Sequence, residues 1–287
     1  MNKKTTMHKN NLHNKSYDFS KLVIAFPELE QFVFINKHQT KTIDFADSKA
    51  VKALNTALMF LHYEIEYWDF PETNLCPPIP SRVNYLHYLS DLIGNKPNIK
   101  ILDIGTGASC IYPILGTKVF NWQFVGTDID QDSLKNAQII IDKNNLNDNI
   151  ELRFQEDKNN ILNGIISPND KFTATICNPP FYKSLEEAEK INKKKQENLG
   201  LANDTRNFSG NNNELWYKGG EKAFLHNYLY QSSLLKDNCI WFTSLVSKKE
   251  NVKSMYASLK KLKATQIKTI TMKHGNKITR IVAWSFV

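Results

Sequence analysis

Asn178, Pro179, Pro180 and Phe181 close the apolar run "ATIC" and lead into Tyr182. A residue that precedes proline is biased towards extended geometry, each proline has a fixed φ, and neither proline can donate to a sheet ladder. A strand must therefore stop here in a stiff arc. The Asn178 side-chain oxygen and the Pro179 carbonyl can each accept one hydrogen of a planar amino group, with the ring of Phe181 or Tyr182 beside it for stacking. Such an amine is a poor nucleophile because its lone pair is delocalised. Two acceptors favour a pyramidal nitrogen, so positioning against a strong electrophile replaces a strong general base. A rigid turn would use the same residues, so the rest of the chain has to decide between the two.

A second group of residues supplies the electrophile. "LDIGTGAS", Leu102 to Ser109, is a strand running into a turn in which Gly105 and Gly107 permit positive φ and close approach of the backbone to a ligand. The next strand ends in "GTDID", which puts Asp128 where a carboxylate can accept from both hydroxyls of a ribose. Cys110 stands where a dinucleotide fingerprint has its third glycine, which argues against a pyrophosphate cofactor. An adenosine-type cofactor without a pyrophosphate is left, and S-adenosylmethionine fits. Its sulfonium is an electrophile with a neutral leaving group, so no metal is required.

The elements that must position these residues follow from pattern. "DFADSKAVKALNTALMFLHYEIEY" has apolar residues at helical spacing behind Asp47 or Ser48 as N-cap, and "FPETNLCPPIPSR" is too proline-rich for either regular element. A boundary is expected there. Beyond it, strands alternate with helices: "RVNYLHYLSDLIG" is helical, "IKILDIG" and "WQFVGTDI" are strands, "SLKNAQIIIDKNN" is a helix, and "NIELRF" and "KFTATIC" are strands. After a long polar insertion come the helix "EKAFLHNYLYQSSLL", the strand "CIWFTSLV", a helix over residues 251–263, and the strands "QIKTITM" and "TRIVAWSF". This alternation predicts an α/β fold with a mostly parallel sheet covered on both faces, closed at one edge by an antiparallel pair.

The chain has 287 residues, 41% of them hydrophobic, and a net charge of +8. A basic balance favours a polyanionic partner such as nucleic acid, although a lysine-rich solvated surface gives the same total. Cys76, Cys110, Cys177 and Cys239 lie far apart without a CxxC pair, so reduced thiols are expected rather than a zinc site or disulfide framework. The basic N-terminus lacks an apolar stretch behind it and no run approaches a bilayer span, so a soluble cytoplasmic protein with no membrane partner is expected.

"LDIGTGASCIYPILG", "CNPPF", "NLGL", "NFSGNNNELWYKGGE" and "RIVAWSF" together resemble the bacterial 23S ribosomal RNA adenine-N6-methyltransferases, whose eukaryotic relatives include the methyltransferase-like-16 RNA enzymes. The resemblance runs from about Tyr17 to the C-terminus. It implies a Rossmann-like class I S-adenosylmethionine-dependent methyltransferase with a seven-stranded sheet and a small N-terminal extension. Three parts are expected: a flexible basic tail over 1–16, an RNA-recognition region over 17–80 and the methyltransferase domain over 81–287. The implied catalytic set is Asn178, Pro179, Pro180 and Phe181. The expected cofactor set is Arg82, Asp103, Gly105, Gly107, Ser109, Asp128, Asn159 and Asn178, with the Arg82 guanidinium on the methionine carboxylate and Asn159 near the adenine ring. The implied substrate is one adenosine in 23S rRNA, free or in the assembling large ribosomal subunit. RNA recognition is then expected from the N-terminal region and the catalytic rim.

Two rivals accompany this reading: methylation of a protein glutamine amide, which is also a planar NH2 group, and RNA binding without catalysis. Lys190, Lys193, Lys194 and Lys195 follow the arc and could neutralise phosphates. Trp216 and Tyr217, beside Gly219 and Gly220, lie in the polar insertion and are expected to shape the substrate side. His226 reads as a core or surface packing residue, and Arg280 as the residue that opens the last strand and meets RNA or an acid.

Overall fold

The computed structural model describes residues 7–184, 187, 216–274 and 277–287. Its N-terminal part builds α1 (Phe19–Ala25), a short hairpin of β1 (Phe34–Ile35) and β2 (Lys41–Thr42), and α2 (Ser48–Tyr63). Asp47 caps α2, its carboxylate accepting from the Lys49 backbone N–H at 2.9 Å. The apolar stripe Ala50, Leu54, Ala57 and Leu58 is buried, as helical spacing predicts. α3 (Ile79–Ile93) ends at Gly94, whose φ of +70° breaks the helix.

The proline-rich stretch is not a boundary. Pro80 sits in the first turn of α3, where a missing N–H costs nothing, and the Asn55 amide oxygen of α2 accepts from Ile79 N at 3.0 Å in place of a local cap. One hydrophobic core runs from Phe19 in α1 through the central strands to Ala283 near the C-terminus. Residues 17–80 therefore share their interior with 81–287 rather than forming a separate body.

Residues 7–16 also correct the expectation of a loose tail. Met7, His8, Asn11 and His13 are buried. His8 N donates to Asn84 Oδ1 (2.8 Å), Asn11 Nδ2 to the Pro80 carbonyl (3.0 Å), and His13 Nε2 meets Tyr63 OH at 2.6 Å. The His8 and His87 rings stack at 5.1 Å. Asparagines and histidines that suit a solvated tail also suit the half-polar faces of α2 and α3. Burial lowers the pKa of both His13 and His87 to about 4, so they pack as neutral rings.

Beyond α3 the chain alternates β3 (Lys100–Ile104), α4 (Ile111–Phe120), β4 (Gln123–Asp128), α5 (Gln131–Lys143), β5 (Ile150–Phe154) and β6 (Phe172–Cys177). Then follow α6 (Gly220–Leu234), β7 (Cys239–Val246), α7 (Lys249–Lys261), β8 (Gln266–His274) and β9 (Lys277–Ser285). The seven-stranded sheet has the order β5-β4-β3-β6-β7-β9-β8, parallel up to β7 and antiparallel in the last two pairings. α2 to α5 cover one face, α6 and α7 the other, each over its own core cluster. Gly116 lets α4 approach β4 closely, since a Cβ there would lie 2.2 Å from the Phe124 ring. It takes the helix-packing role that Cys110 cannot. The strand order reverses between β3 and β6, which opens a crevice at their carboxyl ends.

Candidate active site

The glycine turn after β3 is held from β4. Gly105 N and Thr106 N both donate to the Thr127 carbonyl at 2.9 Å, and Gly107 N donates to Asp128 Oδ2 at 2.9 Å. Gly105 and Gly107 have φ of +75° and +65°. A Cβ on Gly105 would meet nothing within 4 Å, so glycine leaves a concavity as well as a conformation. Asp128 Oδ1 accepts from Asp130 N at 3.0 Å. A carboxylate oxygen accepts more than one hydrogen bond, so holding the turn and meeting a ribose are compatible roles.

Beneath the turn lies a charged floor. Arg82 of α3 donates through Nη1 to Tyr112 OH at 3.1 Å, and its guanidinium stands 5.5 Å from the Tyr112 ring centroid. Asp103, fully buried in β3 and not itself among the cleft-lining residues, has no donor at ordinary hydrogen-bond distance among the described residues, the Thr106 hydroxyl interacting with it only weakly. Burial raises its pKa to about 7; the Asp128 charge adds to the rise, and the Thr106 hydroxyl and Arg82 oppose it. An orphaned carboxylate near an arginine is a costly arrangement for packing alone. It suits a zwitterionic ligand, whose carboxylate Arg82 would meet at the cleft wall while the Asp103 charge acts from behind that wall on its ammonium. The concave glycine turn, Asp128 and this pair therefore fit S-adenosylmethionine.

The third wall comes from β6. Asn178 and Pro180 line the same cleft as Arg82, Gly105, Gly107, Ser109 and Asp128. Pro179 is buried behind them and Phe181 is exposed, neither of them among the cleft-lining residues. Tyr182 forms a parallel bridge with Trp216, and Tyr217 N donates to the Tyr182 carbonyl at 3.0 Å. This pairing brings Trp216 and Tyr217 into the cleft, opposite the arc in sequence but beside it in space.

Two expectations need correction. Asn159 does not line the cleft: its side chain donates to Asp157 Oδ1 at 3.0 Å, while Lys158, Asn160 and Ile161 face the cavity. In the turn at 157–160 Asp157 accepts from both amides, Asn159 through Oδ1 and Asn160 through Oδ2 at 3.0 Å each, and sequence position alone could not choose which of the two faces the cavity. Arg280 lies within β9 opposite Val246 and Thr271 rather than opening the strand. His226 packs as expected, between Ser254 Oγ (2.7 Å) and Ser258 Oγ (3.1 Å) of α7. Lys190, Lys193, Lys194 and Lys195 lie outside the described residues. Tyr112, Gln155 and Thr106 also line the cleft without being singled out by the sequence, although Thr106 and Tyr112 both stand in the quoted "LDIGTGASCIYPILG".

No group of three or more histidine, cysteine, aspartate or glutamate residues is placed to hold a metal among the described residues. None of the described helices is long and apolar enough to cross a membrane.

A glycine turn after β3, an acid ending β4 and a sheet closed by an antiparallel pair define a Rossmann-like class I S-adenosylmethionine-dependent methyltransferase. The chain belongs to the RNA methyltransferase family, whose pattern it matches over residues 1–287. It is 46% identical to the ribosomal RNA large subunit methyltransferase F of Aeromonas salmonicida, with 99% of this chain and 93% of that protein covered. The protein of the same name from Flavobacterium johnsoniae is 48% identical, with coverage of 99% and 94%. Among solved structures, the human METTL16 catalytic domain in complex with MAT2A 3′UTR hairpin 1 is similar at a TM-score of 0.87 and 30% identity, covering 99% and 96%. The N-terminal domain of human METTL16 in complex with SAH gives 0.81 and 28%, covering 99% and 100%.

Proposed function

We propose that this chain methylates the exocyclic N6 of one adenosine in 23S rRNA, in the cytoplasm, on the free RNA or an assembling large subunit. The observation that carries the reading is the opening of Asn178 and Pro180 on the cleft that holds the glycine turn and Asp128. The relatives named for the large-subunit RNA favour RNA over a glutamine amide, and the +8 charge agrees with them.

S-adenosylmethionine, when bound, supplies an electrophilic methyl group whose departure leaves a neutral thioether. The chain's own residues do the rest. Arg82 and Asp103 fit the two charges of the methionine end, Asp128 the ribose hydroxyls, and Gly105 the space between. The Asn178 oxygen accepts an amine hydrogen, and Pro179 and Pro180 stiffen the backbone that aims it. Phe181 or Trp216 offers a ring face to the extruded base, worth roughly 1–3 kcal/mol per stacked base. Leu75, Pro77, Ile161 and Phe224 line the cleft with apolar surface that excludes water.

Residues 17–80 carry five lysines against nine acidic residues. Their part in RNA recognition is therefore stacking and shape, through exposed Phe34 and Phe45, with phosphate neutralisation left to the basic remainder. Nucleoside mass spectrometry of 23S rRNA fragments from cells with and without the gene tests the reading. Loss of one N6-methyladenosine is expected. Unchanged rRNA with a lost methylglutamine on a protein would overturn it.

A further inference from the structure

One side chain outside the predicted set carries an unusual share of the cleft's architecture. Gln231, buried on α6, accepts through a single Oε1 from three consecutive backbone N–H groups: Ile161 (2.9 Å), Leu162 (2.8 Å) and Asn163 (3.1 Å). Three converging donors define that atom as the oxygen. Its Nε2 faces the Asn160 Oδ1 (3.3 Å) and Asn227 Oδ1 (3.1 Å). The turn that Gln231 holds presents Lys158, Asn160 and Ile161 to the cleft.

Asn227 lies one helical turn before Gln231 on the same face of α6. Its Nδ2 donates to the Asn159 carbonyl (2.7 Å) and to Tyr217 OH (3.1 Å). The Tyr217 ring packs edge-on against Phe224 of the same helix at 5.3 Å, and its backbone is tied to Tyr182 behind the arc. A continuous set of hydrogen bonds thus runs from the wall at 159–163, through α6, to Tyr217 on the substrate side. A surface loop does not need this. A buried glutamine with a saturated oxygen is retained where three neighbouring N–H groups must stay in one arrangement.

We propose that Gln231 is a positioning residue for the cofactor wall, and that Asn227 ties this wall to the substrate rim through Tyr217. The inference rests on the reading of the cleft as the S-adenosylmethionine and RNA site. Its consequence is that binding on one side is coupled to binding on the other: RNA held against Tyr217 favours the wall arrangement that accepts the cofactor, and the reverse holds by linkage.

The test uses the full chain with S-adenosylhomocysteine as calorimetric probe and hydrogen exchange as a structural readout. Gln231→Leu removes the acceptor; the Ile161, Leu162 and Asn163 amides should exchange faster, and probe affinity should fall about tenfold. Gln231→Glu keeps an acceptor oxygen and should restore most of the exchange protection and at least half of the lost binding free energy. Asn227→Asp removes both donors and should abolish the tightening produced by a 23S rRNA fragment, read as the ratio of probe affinities with and without RNA in the same variant. Unchanged exchange and affinity in Gln231→Leu would overturn the positioning role. RNA-dependent tightening that survives in Asn227→Asp would overturn the coupling. An rRNA fragment that never binds the wild-type protein would overturn the substrate reading instead, with the Gln231 result standing separately.

Discussion

The two halves of the cleft are built to different standards. The cofactor half is closed and internally hydrogen-bonded: Gly105, Thr106 and Gly107 are pinned to β4, Ser109 accepts from the Trp68 indole at 2.9 Å, and Asn136 of α5 donates to the Ala108 carbonyl at 2.9 Å. The substrate half is more open, with Phe181 and Trp216 about one-third exposed and Trp216 paired to Tyr182 through an isolated bridge. A small cofactor with fixed geometry can be met by a prebuilt cradle, which lowers the ordering cost of binding. A base extruded from a folded RNA brings its own surroundings, so the rim needs exposed ring faces more than a finished pocket.

The sharpest separation of the two halves is expected at Asn178. Asn178→Ala should lower methyl transfer by roughly a hundredfold or more, the scale seen when one positioned hydrogen-bonding group is lost from a reacting centre. Calorimetry should still find cofactor binding. An equal loss of both would place Asn178 in the cofactor half instead.

Asp128 should show the reverse pattern. Asp128→Ala removes the acceptor for Gly107 N as well as the ribose partner, so cofactor affinity should fall by about tenfold or more while RNA binding is retained. Affinity within twofold of the wild type would take Asp128 out of the cradle.

Asp103 tests whether the floor of the cradle is electrostatic. Its carboxyl has a raised pKa, so between the ordinary carboxylate value and about 7 the folded protein holds a proton that the unfolded chain releases. Burying it therefore lowers stability as pH rises through that window, and Asp103→Asn should raise the Tm at pH 8 relative to the wild type. Cofactor binding should strengthen in the wild type as pH rises through about 7 and become flat in the variant. Parallel pH profiles for the two proteins would remove Asp103 from ligand binding.

The smallest effects belong to the rim. Trp216→Ala and Phe181→Ala should each weaken RNA binding by severalfold if that ring stacks on the base, within roughly 1–3 kcal/mol, and leave cofactor affinity unchanged. A filter-binding series on both variants shows which ring is used, and no effect from either would leave the arc without a stacking partner.

Local signals carried the cofactor half because each of its parts is short-range. A glycine turn needs positive φ within a few residues, an acid ends the next strand, and two prolines stop a third. The parallel order of these strands then brings their carboxyl ends together, as the alternation of strands and helices predicted. Asn159 shows the resolution of such signals: the loop that lines the cleft was legible, but Asn160 and not Asn159 faces the cavity, and since Asp157 holds both amides no local signal separates them. Residues 7–16 show a further limit, since asparagine and histidine have the same composition whether hydrated or docked.

By itself, the sequence determined the strand-turn-helix pattern, the arc at 178–181, the acid on β4 and the basic balance, each a property of residue types at close spacing. Only the tertiary structure decided that Arg82 meets Tyr112 and comes near the buried Asp103, that the N-terminal segment shares the main core, and that Gln231 gathers three amides 68 to 70 residues away. Those contacts depend on which side chains the sheet and its covering helices bring within hydrogen-bonding distance, and no local preference encodes that.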